Sequence, residues 1–320
     1  MKIFQIFISL ILFFAVNISC QKEETVCIKK TWYFDADFDV LGDKTNSIEA
    51  CDAPAGYVSN SNDDNDNPNK SSIIPTKGYS TPMTYPNLKI VWSDEFNGTS
   101  LDEKFWNYEL GNNNGWGNNE LQFYKKENTT VKDGYLIIQA KIESAGSQSF
   151  TSSRLTTQGK YNFKYGRVDI RAALPKGQGL WPALWMLGKN INAVGWPKCG
   201  EIDIMEMIGG SGKDNTTYGT VHWDNKGSHA QYGGNTKLIS GVFNDEFHVF
   251  SIIWDEKKIV WYLDDKKFHE IDTTPAELSE FQEEYFFIFN LAVGGDWPGR
   301  PDGSAIFPQQ LVVDYIRVFQ

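Results

Sequence analysis

The sequence predicts an all-β protein, a β-sandwich preceded by a small Asp-rich N-terminal module. From residue 88 onward, short apolar or alternating runs are separated by turns rich in Gly, Asn and Asp, a pattern typical of antiparallel sheets. A chain of 320 residues is long enough for one such domain and a small appendage. Pro275–Phe281 is the one segment predicted as a short helix. The clearest predicted strands are residues 88–92, 135–142, 167–173, 183–187, 200–207, 249–254, 258–263, 285–293 and 310–319.

Charge and aromatic content narrow the possible classes of function. The formal net charge is −11, and Lys and Arg form no cluster beyond isolated pairs. Nucleic-acid binding depends on a basic stripe that displaces counterions, so we expect no nucleic-acid partner. Aromatic residues make up 14% of the chain and include 11 Trp. This excess permits a surface that stacks on sugars, although large β cores also use Trp.

The first 20 residues are predicted to be a lipoprotein signal peptide. Lys2 gives a short basic start, and residues 3–18 are nearly all apolar but short for a membrane span. The run ends at Asn17-Ile18-Ser19-Cys20, which resembles a loose bacterial lipobox with Cys20 as the acylated residue. We therefore expect a secreted protein that is lipid-anchored to the outer membrane, at the cell surface, with no other membrane attachment. Plain secretion by cleavage nearby is the alternative.

Residues 21–67 have the composition of a Ca²⁺-binding module. Asp35, Asp37 and Asp39 occupy every second position before Gly42. Ca²⁺ requires several oxygen ligands that converge at short range, which such a spacing favours. A solvated acidic spacer is the alternative interpretation.

Two further features mark the N-terminal part of the chain. Cys27 and Cys51 lie within the Asp-rich segment and could pair in an oxidising compartment. Residues 68–87 contain four Pro together with Ser and Thr, and this composition predicts a linker. The large domain is therefore expected to cover residues 88–320.

The strongest chemical signal is the acidic block Glu201-Ile202-Asp203-Ile204-Met205-Glu206. On a regular strand Glu201 and Asp203 share one face, whereas Glu206, five residues after Glu201, points away. One extra residue, a β-bulge near Ile204-Met205, returns Glu206 to the acidic face. The two Glu carboxyls can then reach the roughly 5–5.5 Å separation of a retaining glycosidase. An exposed acidic strand is the alternative, but the nearby residues 181–185 are apolar and aromatic.

This block resembles the active-site signature of glycoside hydrolase family 16, in the form that carries the extra bulge residue. The resemblance covers residues 88–320 and implies a jelly-roll, concanavalin A-like sandwich. The supporting segments, in order, are residues 92–96, 115–124, 153–155, 179–186, 219–222, 290–299 and 313–318. Within the family, residues 115–124 and 290–299 resemble the laminarinase branch. That branch implies an endo-acting hydrolase of β-1,3-glucan, and a hydrolase of mixed-linkage β-1,3/1,4-glucan or of an algal galactan is the alternative.

The resemblance also implies a role for each acidic residue. Glu201 corresponds to the nucleophile that forms a glycosyl-enzyme intermediate. Glu206 corresponds to the acid/base, which needs a raised pKa. Asp203 corresponds to a partner of the nucleophile that tunes the charge of both Glu residues. No cofactor is implied for catalysis, the partner is a β-glucan polysaccharide, and we expect a monomer.

Eight residues are predicted to contact the sugar chain, with core packing as the alternative for the aromatic ones. Trp181 and Trp185 lie four apart and so share a strand face, where an aromatic ring can cover the C–H face of a sugar. By the same resemblance, the glycone side is lined by Trp116, Asn118, Glu120 and Arg154, and His222 and Trp297 complete the set.

The resemblance implies a second Ca²⁺ position, remote from the chemistry. Glu95, Gly134 and Asp314 match positions that in relatives hold a structural Ca²⁺ through carboxylate and backbone oxygens. Asp314 as a strand-end cap is the alternative.

Two functions other than catalysis are the alternatives for this sequence. A non-catalytic glucan-binding protein on the same fold would keep the aromatic cleft and lose the paired carboxylates, but here all three acids are present. An adhesive surface module centred on residues 27–68 would make hydrolysis incidental.

Overall fold

The computed structural model describes residues 27–35, 42–54, 56–63 and 74–320. The strands, in chain order, are β1 (Lys30–Phe34), β2 (Ser47–Ala50), β3 (Tyr57–Val58), β4 (Ile90–Asp94), β5 (Asn107–Glu109), β6 (Gln122–Tyr124), β7 (Thr129–Lys132), β8 (Tyr135–Ala145), β9 (Gln148–Ser152), β10 (Arg154–Thr156), β11 (Gly166–Ala173), β12 (Leu180–Gly188), β13 (Glu201–Glu206), β14 (Thr216–Asn225), β15 (Ser228–Lys237), β16 (His248–Trp254), β17 (Lys258–Leu263), β18 (Lys266–Asp272), β19 (Tyr285–Val293) and β20 (Gln309–Phe319).

Helical structure in these ranges is limited to four short segments. They comprise α1 (Ile191–Val194) and the 3₁₀ helices Asn113–Gly115, Lys126–Asn128 and Ala276–Gln282. The last of these falls on the segment predicted to be helical. Within the described residues, no helix has the length and apolar character needed to cross a membrane.

Two sheets pack face to face, antiparallel except for the parallel pair β6 and β9, which confirms the predicted β-sandwich. The seven-stranded sheet has the order β15-β14-β13-β12-β19-β10-β5. The ten-stranded sheet has the order β18-β17-β16-β11-β20-β8-β9-β6, and β4 and β7 pair with β20 and β8. Every strand predicted between residues 88 and 320 overlaps an observed strand, because each carries apolar residues that this sandwich buries.

Large aromatic side chains fill the space between the sheets. Phe287 and Phe289 on β19 are fully buried. Trp92 stacks on Phe287 at 5.8 Å between ring centroids, and Trp106 meets Phe289 at 5.1 Å. Part of the Trp content therefore belongs to the core, as the composition allowed. The other face of the seven-stranded sheet carries the cleft described below.

The predicted bulge in β13 is confirmed by the strand register. Against β12, Trp185 pairs with Asp203 and Leu184 pairs with Met205, so that Ile204 has no partner of its own. Ile204 and Met205 are both buried in the core, although they are consecutive in the chain. Two successive inward side chains reverse the alternation, and Glu206 therefore faces the same side as Asp203.

A glycine fixes the start of β13. Gly200 has φ of +74°, a left-handed conformation that side chains other than glycine rarely adopt. A Cβ at this position would lie 2.0 Å from the hydroxyl oxygen of Tyr285. The turn before Glu201 is consequently a place where only glycine fits.

The N-terminal module contains a small three-stranded sheet in the order β2-β1-β3. Cys27 and Cys51 form a disulfide with a Cα–Cα distance of 5.5 Å. Asp35 is buried at 3% exposure, whereas Asp37, Asp39 and the predicted lipidation residue Cys20 lie outside the described residues.

The second half of the predicted linker packs on the outer face of the ten-stranded sheet. We call residues 74–87 the strap. Tyr79 donates a hydrogen bond through its hydroxyl to Asp265 at 2.8 Å, and Tyr85 donates to Asp169 at 2.7 Å. The guanidinium of Arg167 lies 4.2 Å from the ring centre of Tyr85. These contacts bind the strap to the sheet on the side away from the cleft.

Candidate active site

A cleft of about 750 Å³ crosses the seven-stranded sheet on its solvent side. Its floor is formed by side chains from six consecutive strands of that sheet, β10, β19, β12, β13, β14 and β15. Loop residues form its walls. All three predicted catalytic residues and all eight predicted sugar-contacting residues line this one cleft.

The three carboxylates lie together on β13 because of the bulge. Glu201 is 16% exposed at the cleft floor, and Asp203 is 2% exposed. Removal from water disfavours the ionised form of each carboxylate, and each negative charge also disfavours the others. Burial, followed by the charge of Asp203, raises the pKa of Glu201 to about 8. Burial and both neighbouring carboxylates raise the pKa of Glu206 well above its usual range.

These shifts assign different roles to the two glutamates. Because the three carboxyls lie close together, each affects the ionisation of the others, and the surroundings of each carboxyl indicate where the proton stays. The negative charges of Asp203 and Glu201 both oppose ionisation of Glu206. Each glutamate accepts an indole N–H, Glu206 from Trp181 and Glu201 from Trp196, and the charge of Arg154 additionally favours ionisation of Glu201. Glu206 therefore keeps a proton to higher pH, as an acid must, and Glu201 ionises first, as a nucleophile must.

Asp203 connects the nucleophile to a histidine. Burial raises the pKa of Asp203, and a hydrogen bond with Glu201 opposes that rise. His222 Nε2 lies 3.1 Å from Asp203 Oδ2 and 3.8 Å from Glu201 Oε1. The family resemblance predicted His222 as a sugar-contacting residue. The structure adds that its ring faces two of the three catalytic carboxylates.

Trp196 and His229 are functional residues that the sequence did not reveal. Trp196 lies in the loop between α1 and β13 and donates its indole N–H to Glu201 Oε2 at 2.8 Å. His229 on β15 lies 2.9 Å from His222, measured from Nε2 to Nδ1. The rings of Trp196 and His229 are 4.6 Å apart. The feature of the sequence that could have indicated Trp196 is its position, five residues before Glu201.

Arg154 lies on the opposite side of the carboxylates, in the part of the cleft wall that is predicted to contact the glycone and is called the glycone wall below. Its guanidinium lies between two aromatic rings, 4.7 Å from Trp116 and 4.9 Å from Trp185. It also forms an ion pair with Glu109. The cation fixes both rings in position through cation–π contacts. The glycone wall therefore combines polar and aromatic side chains.

Glu120 lies at the base of the glycone wall. Its carboxylate accepts hydrogen bonds from Gln122 at 2.6 Å, Tyr124 at 3.1 Å and Asn118 at 3.3 Å. Burial raises the pKa of Glu120, and these donors oppose the rise. A buried acceptor with several donors is rigid, so this group forms a fixed polar end to the cleft.

Trp181 and Trp185 both face the cleft rather than the core. Trp181 donates its indole N–H to Glu206 Oε1 at 3.0 Å, and Trp185 donates to Asn290 Oδ1 at 2.8 Å. The edge of Trp181 meets Trp297 at 5.6 Å between ring centroids. Tyr218 approaches Trp297 from β14 at 5.0 Å. Trp297 is 41% exposed and forms an aromatic rim beside the acid.

The carboxylates predicted to hold Ca²⁺ on the outer sheet are paired with arginines. Arg317 contacts both carboxylate oxygens of Glu95, at 2.8 and 2.7 Å. Asp314 accepts a hydrogen bond from Arg171 at 2.6 Å. A Cβ at Gly134 would lie 3.9 Å from Asn97 Oδ1. Both carboxylates are paired with guanidinium groups in this arrangement, and the Ca²⁺ site stays a prediction.

One group in the described ranges brings three ligand-type side chains close enough for a metal ion. The ligand atoms of Glu201, Asp203 and His222 lie within 4.8 Å of one another. These residues line the cleft and include two of the predicted catalytic carboxylates, so we assign the group to the predicted catalytic site rather than to a metal site.

An open cleft on a β-sandwich, with an aromatic wall and two unequal carboxylates on one strand, defines a glycoside hydrolase. The family model for glycosyl hydrolases family 16 matches residues 112–317, and the chain belongs to this family.

Known proteins of this family resemble the chain along most of its length. The laminarinase catalytic domain from Thermotoga maritima MSB8 superposes with a TM-score of 0.68 and 45% identity, covering 73% of this chain and 98% of that one. A beta-glucanase from Rhodothermus marinus is 40% identical over 252 residues, 73% of this chain and 86% of its own. The clotting factor G alpha subunit from Tachypleus tridentatus is 38% identical over 240 residues, 73% of this chain but only 34% of its own length.

Proposed function

We propose that the chain hydrolyses internal β-1,3-glucosidic bonds of laminarin-type glucans with retention of configuration. The observation that carries this proposal is the bulge of β13, which places Glu201 and Glu206 on one face of an open cleft. The solved structure most useful for the substrate is a laminarinase domain at 45% identity.

In the first half-reaction, the ionised carboxylate of Glu201 attacks the anomeric carbon. Glu206 gives its proton to the glycosidic oxygen, the bond to the leaving sugar breaks, and a glycosyl-enzyme forms. The hydrogen bond from Trp196 to Glu201 Oε2 stabilises the anion before attack. The raised pKa of Glu206 keeps its proton available for the leaving group.

In the second half-reaction, Glu206 acts as a base. It takes a proton from water, which attacks the anomeric carbon of the glycosyl-enzyme and releases the sugar from Glu201. Two inversions give net retention. When Glu201 becomes esterified, one of the two charges that raise the pKa of Glu206 disappears, and Glu206 ionises more readily for its second role.

The shape of the cleft supports cleavage within a polymer. Side chains from six strands line it continuously, and sugar-contacting aromatics lie on both sides of the carboxylates. Trp116 and Arg154 lie on one side, and His222 lies on the other. A glucan chain can therefore extend beyond the cleaved bond in both directions.

Product analysis on three polysaccharides tests the proposal. The chain and its Glu201→Ala variant are incubated in parallel with laminarin, mixed-linkage β-1,3/1,4-glucan and agarose. We expect oligosaccharides of several lengths to appear early from laminarin, and none with the variant. Proton NMR of the first products should show the β-anomer. Faster cleavage of agarose would reject the substrate assignment, and an α-anomer appearing first would reject the double displacement.

We propose further that the protein is exported and anchored by a lipid on Cys20. The disulfide between Cys27 and Cys51 supports export, because such bonds persist in oxidising compartments. Fractionation of cells that express the wild type and Cys20→Ala tests the anchor. The variant should move from the membrane fraction to the soluble one, and unchanged membrane retention would reject lipidation.

We also propose that the N-terminal module binds Ca²⁺ through Asp35, Asp37 and Asp39. The spacing of these three residues supports this, since Ca²⁺ takes several carboxylate oxygens that converge at short range. Isothermal calorimetry of the whole chain with CaCl₂ should give heat that disappears in an Asp35→Asn, Asp37→Asn variant. Heat of equal size in both proteins would place any bound Ca²⁺ elsewhere.

A further inference from the structure

Four side chains form a closed ring of contacts beside the nucleophile. Trp196 donates to Glu201 Oε2 at 2.8 Å and packs against His229 at 4.6 Å between ring centroids. His229 Nε2 lies 2.9 Å from His222 Nδ1. The ring closes where His222 Nε2 faces Glu201 at 3.8 Å, with Asp203 at 3.1 Å. Two of these residues, Trp196 and His229, come from a loop and a strand outside β13.

The geometry determines which ring nitrogens carry hydrogen. His222 Nε2 lies 3.1 Å from Asp203 Oδ2, a buried carboxylate oxygen that accepts no hydrogen bond from another side chain in the described ranges, so we place the N–H of the His222 ring at Nε2, where it faces an acceptor. In the neutral form of His222 this is the ring's one N–H, and Nδ1 is then an acceptor. The atom 2.9 Å from it, Nε2 of His229, must then be a donor.

The surroundings of His229 favour this neutral donor form. Burial lowers the pKa of His229, which disfavours its charged form. Asp224 is its register partner on β14, and the carboxylates of Glu201 and Asp203 lie beyond His222. His229 is exposed at the rim of the cleft, so it can be replaced without creating a cavity in the core.

We propose that His229 is a positioning residue that holds His222 in the Nε2–H tautomer, aimed at Asp203 and Glu201. This rests on the proposed function, in which Glu201 must be ionised for attack. Without the donor at Nδ1, His222 can carry its proton on either nitrogen. Its Nδ1–H form would present a lone pair to Asp203, and the two carboxylates would lose a donor.

Nitrogen NMR of labelled histidine measures the tautomer directly. The chain has four His, so single substitutions assign every signal. We expect His222 to show a protonated Nε2 and an unprotonated Nδ1 in the wild type. His229→Leu, which removes the donor, should shift His222 to a mixture of tautomers. His229→Gln, whose amide can donate from a similar position, should restore most of the wild-type pattern.

Kinetics on laminarin provide the second measurement. We expect His229→Leu to lower kcat ~10-fold, the size expected from losing a hydrogen bond to a charged network, with little change in KM. In an Asp203→Asn background, His229→Leu should lower kcat almost no further. His229 acts through the contact between His222 and Asp203, and the Asp203→Asn change has already altered that contact. His229→Gln should recover most of the lost rate.

Several outcomes would overturn the proposal. A wild-type His222 protonated at Nδ1 contradicts it, and so does a tautomer unchanged in His229→Leu. Equal losses in the Asp203→Asn and wild-type backgrounds would show a merely structural role. The NMR result does not depend on laminarin being the substrate, so failure of the tautomer assignment and failure of the substrate assignment are distinguishable.

Discussion

The indole N–H of Trp181 donates to Glu206 Oε1 at 3.0 Å, which joins a sugar-contacting ring to the acid of the reaction. A donor to a carboxylate favours its ionised form and so lowers its pKa. In Trp181→Phe the pKa of Glu206 should rise. Because loss of the Glu206 proton sets the alkaline limb of kcat/KM, that limb should move to higher pH. Trp185→Phe is the matched control, since Trp185 donates to Asn290, and its alkaline limb should stay in place.

Removing the nucleophile should prevent formation of the glycosyl-enzyme. We expect Glu201→Ala to lose roughly 10⁴-fold or more in kcat on laminarin and on an activated aryl β-glucoside. Azide fits the space left by the carboxylate and should restore activity on the aryl substrate, with an α-glycosyl azide as product. Rescue that yields a β-glycosyl azide would mean that Glu201 is not the attacking group.

Removing the acid should affect poor leaving groups most. Glu206→Ala should lose ~10²–10⁴-fold on laminarin and far less on an aryl glucoside whose leaving group needs no proton. The glycosyl-enzyme still forms on Glu201, and azide should therefore trap it as a β-glycosyl azide. Equal losses on the two substrates would indicate that Glu206 does not protonate the leaving group.

Deletion of Met205 tests what the bulge contributes. The shortened strand has an offset of four between the two glutamates, which is even, so a regular strand keeps both on the cleft face. We expect a loss of ~10²-fold, as a displacement of about 1 Å produces, with the ratio of aryl to laminarin activity still close to wild type. Met205→Ala controls for lost core packing. A ratio like that of Glu206→Ala would mean that the acid has left the cleft.

The free energy of unfolding should fall as pH rises, because the cleft contains buried carboxylates. Burial raises the folded-state pKa of Glu206 above its unfolded value of about 4.3. Between these values the folded chain holds a proton that the unfolded chain releases, so stability is lost with increasing pH. Glu206→Gln should therefore raise Tm relative to wild type at pH 8 and have little effect near pH 4. In Glu277→Gln, at an exposed position, the difference from wild type should be the same at both pH values.

The sequence predicted what depends on local alternation. The strand parity of Glu201 and Glu206 requires a bulge, and the register places it at Ile204, within the predicted pair. The burial of Ile202 and Ile204 follows from the same parity. The cleft positions of Trp181 and Trp185 came from the family resemblance together with their spacing of four.

Contacts between distant segments were not accessible in this way. The pairing of His222 with His229 depends on the register of β14 and β15, and the sequence gives no measure of that register. Trp196 reaches Glu201 because its loop folds back over the cleft. The strap had the composition of a linker, yet Tyr85 bonds to Asp169, 84 positions later in the chain.

The strap also determines which way the enzyme faces when its N-terminal side is held. It is fixed to the outer face of the ten-stranded sheet by Tyr79 and Tyr85, with the thickness of the sandwich between it and the cleft. A tether that enters through residue 74 therefore pulls on the back of the domain. The mouth of the cleft is left pointing away from the point of attachment, where a long insoluble or branched polymer can approach without steric interference from whatever holds the chain.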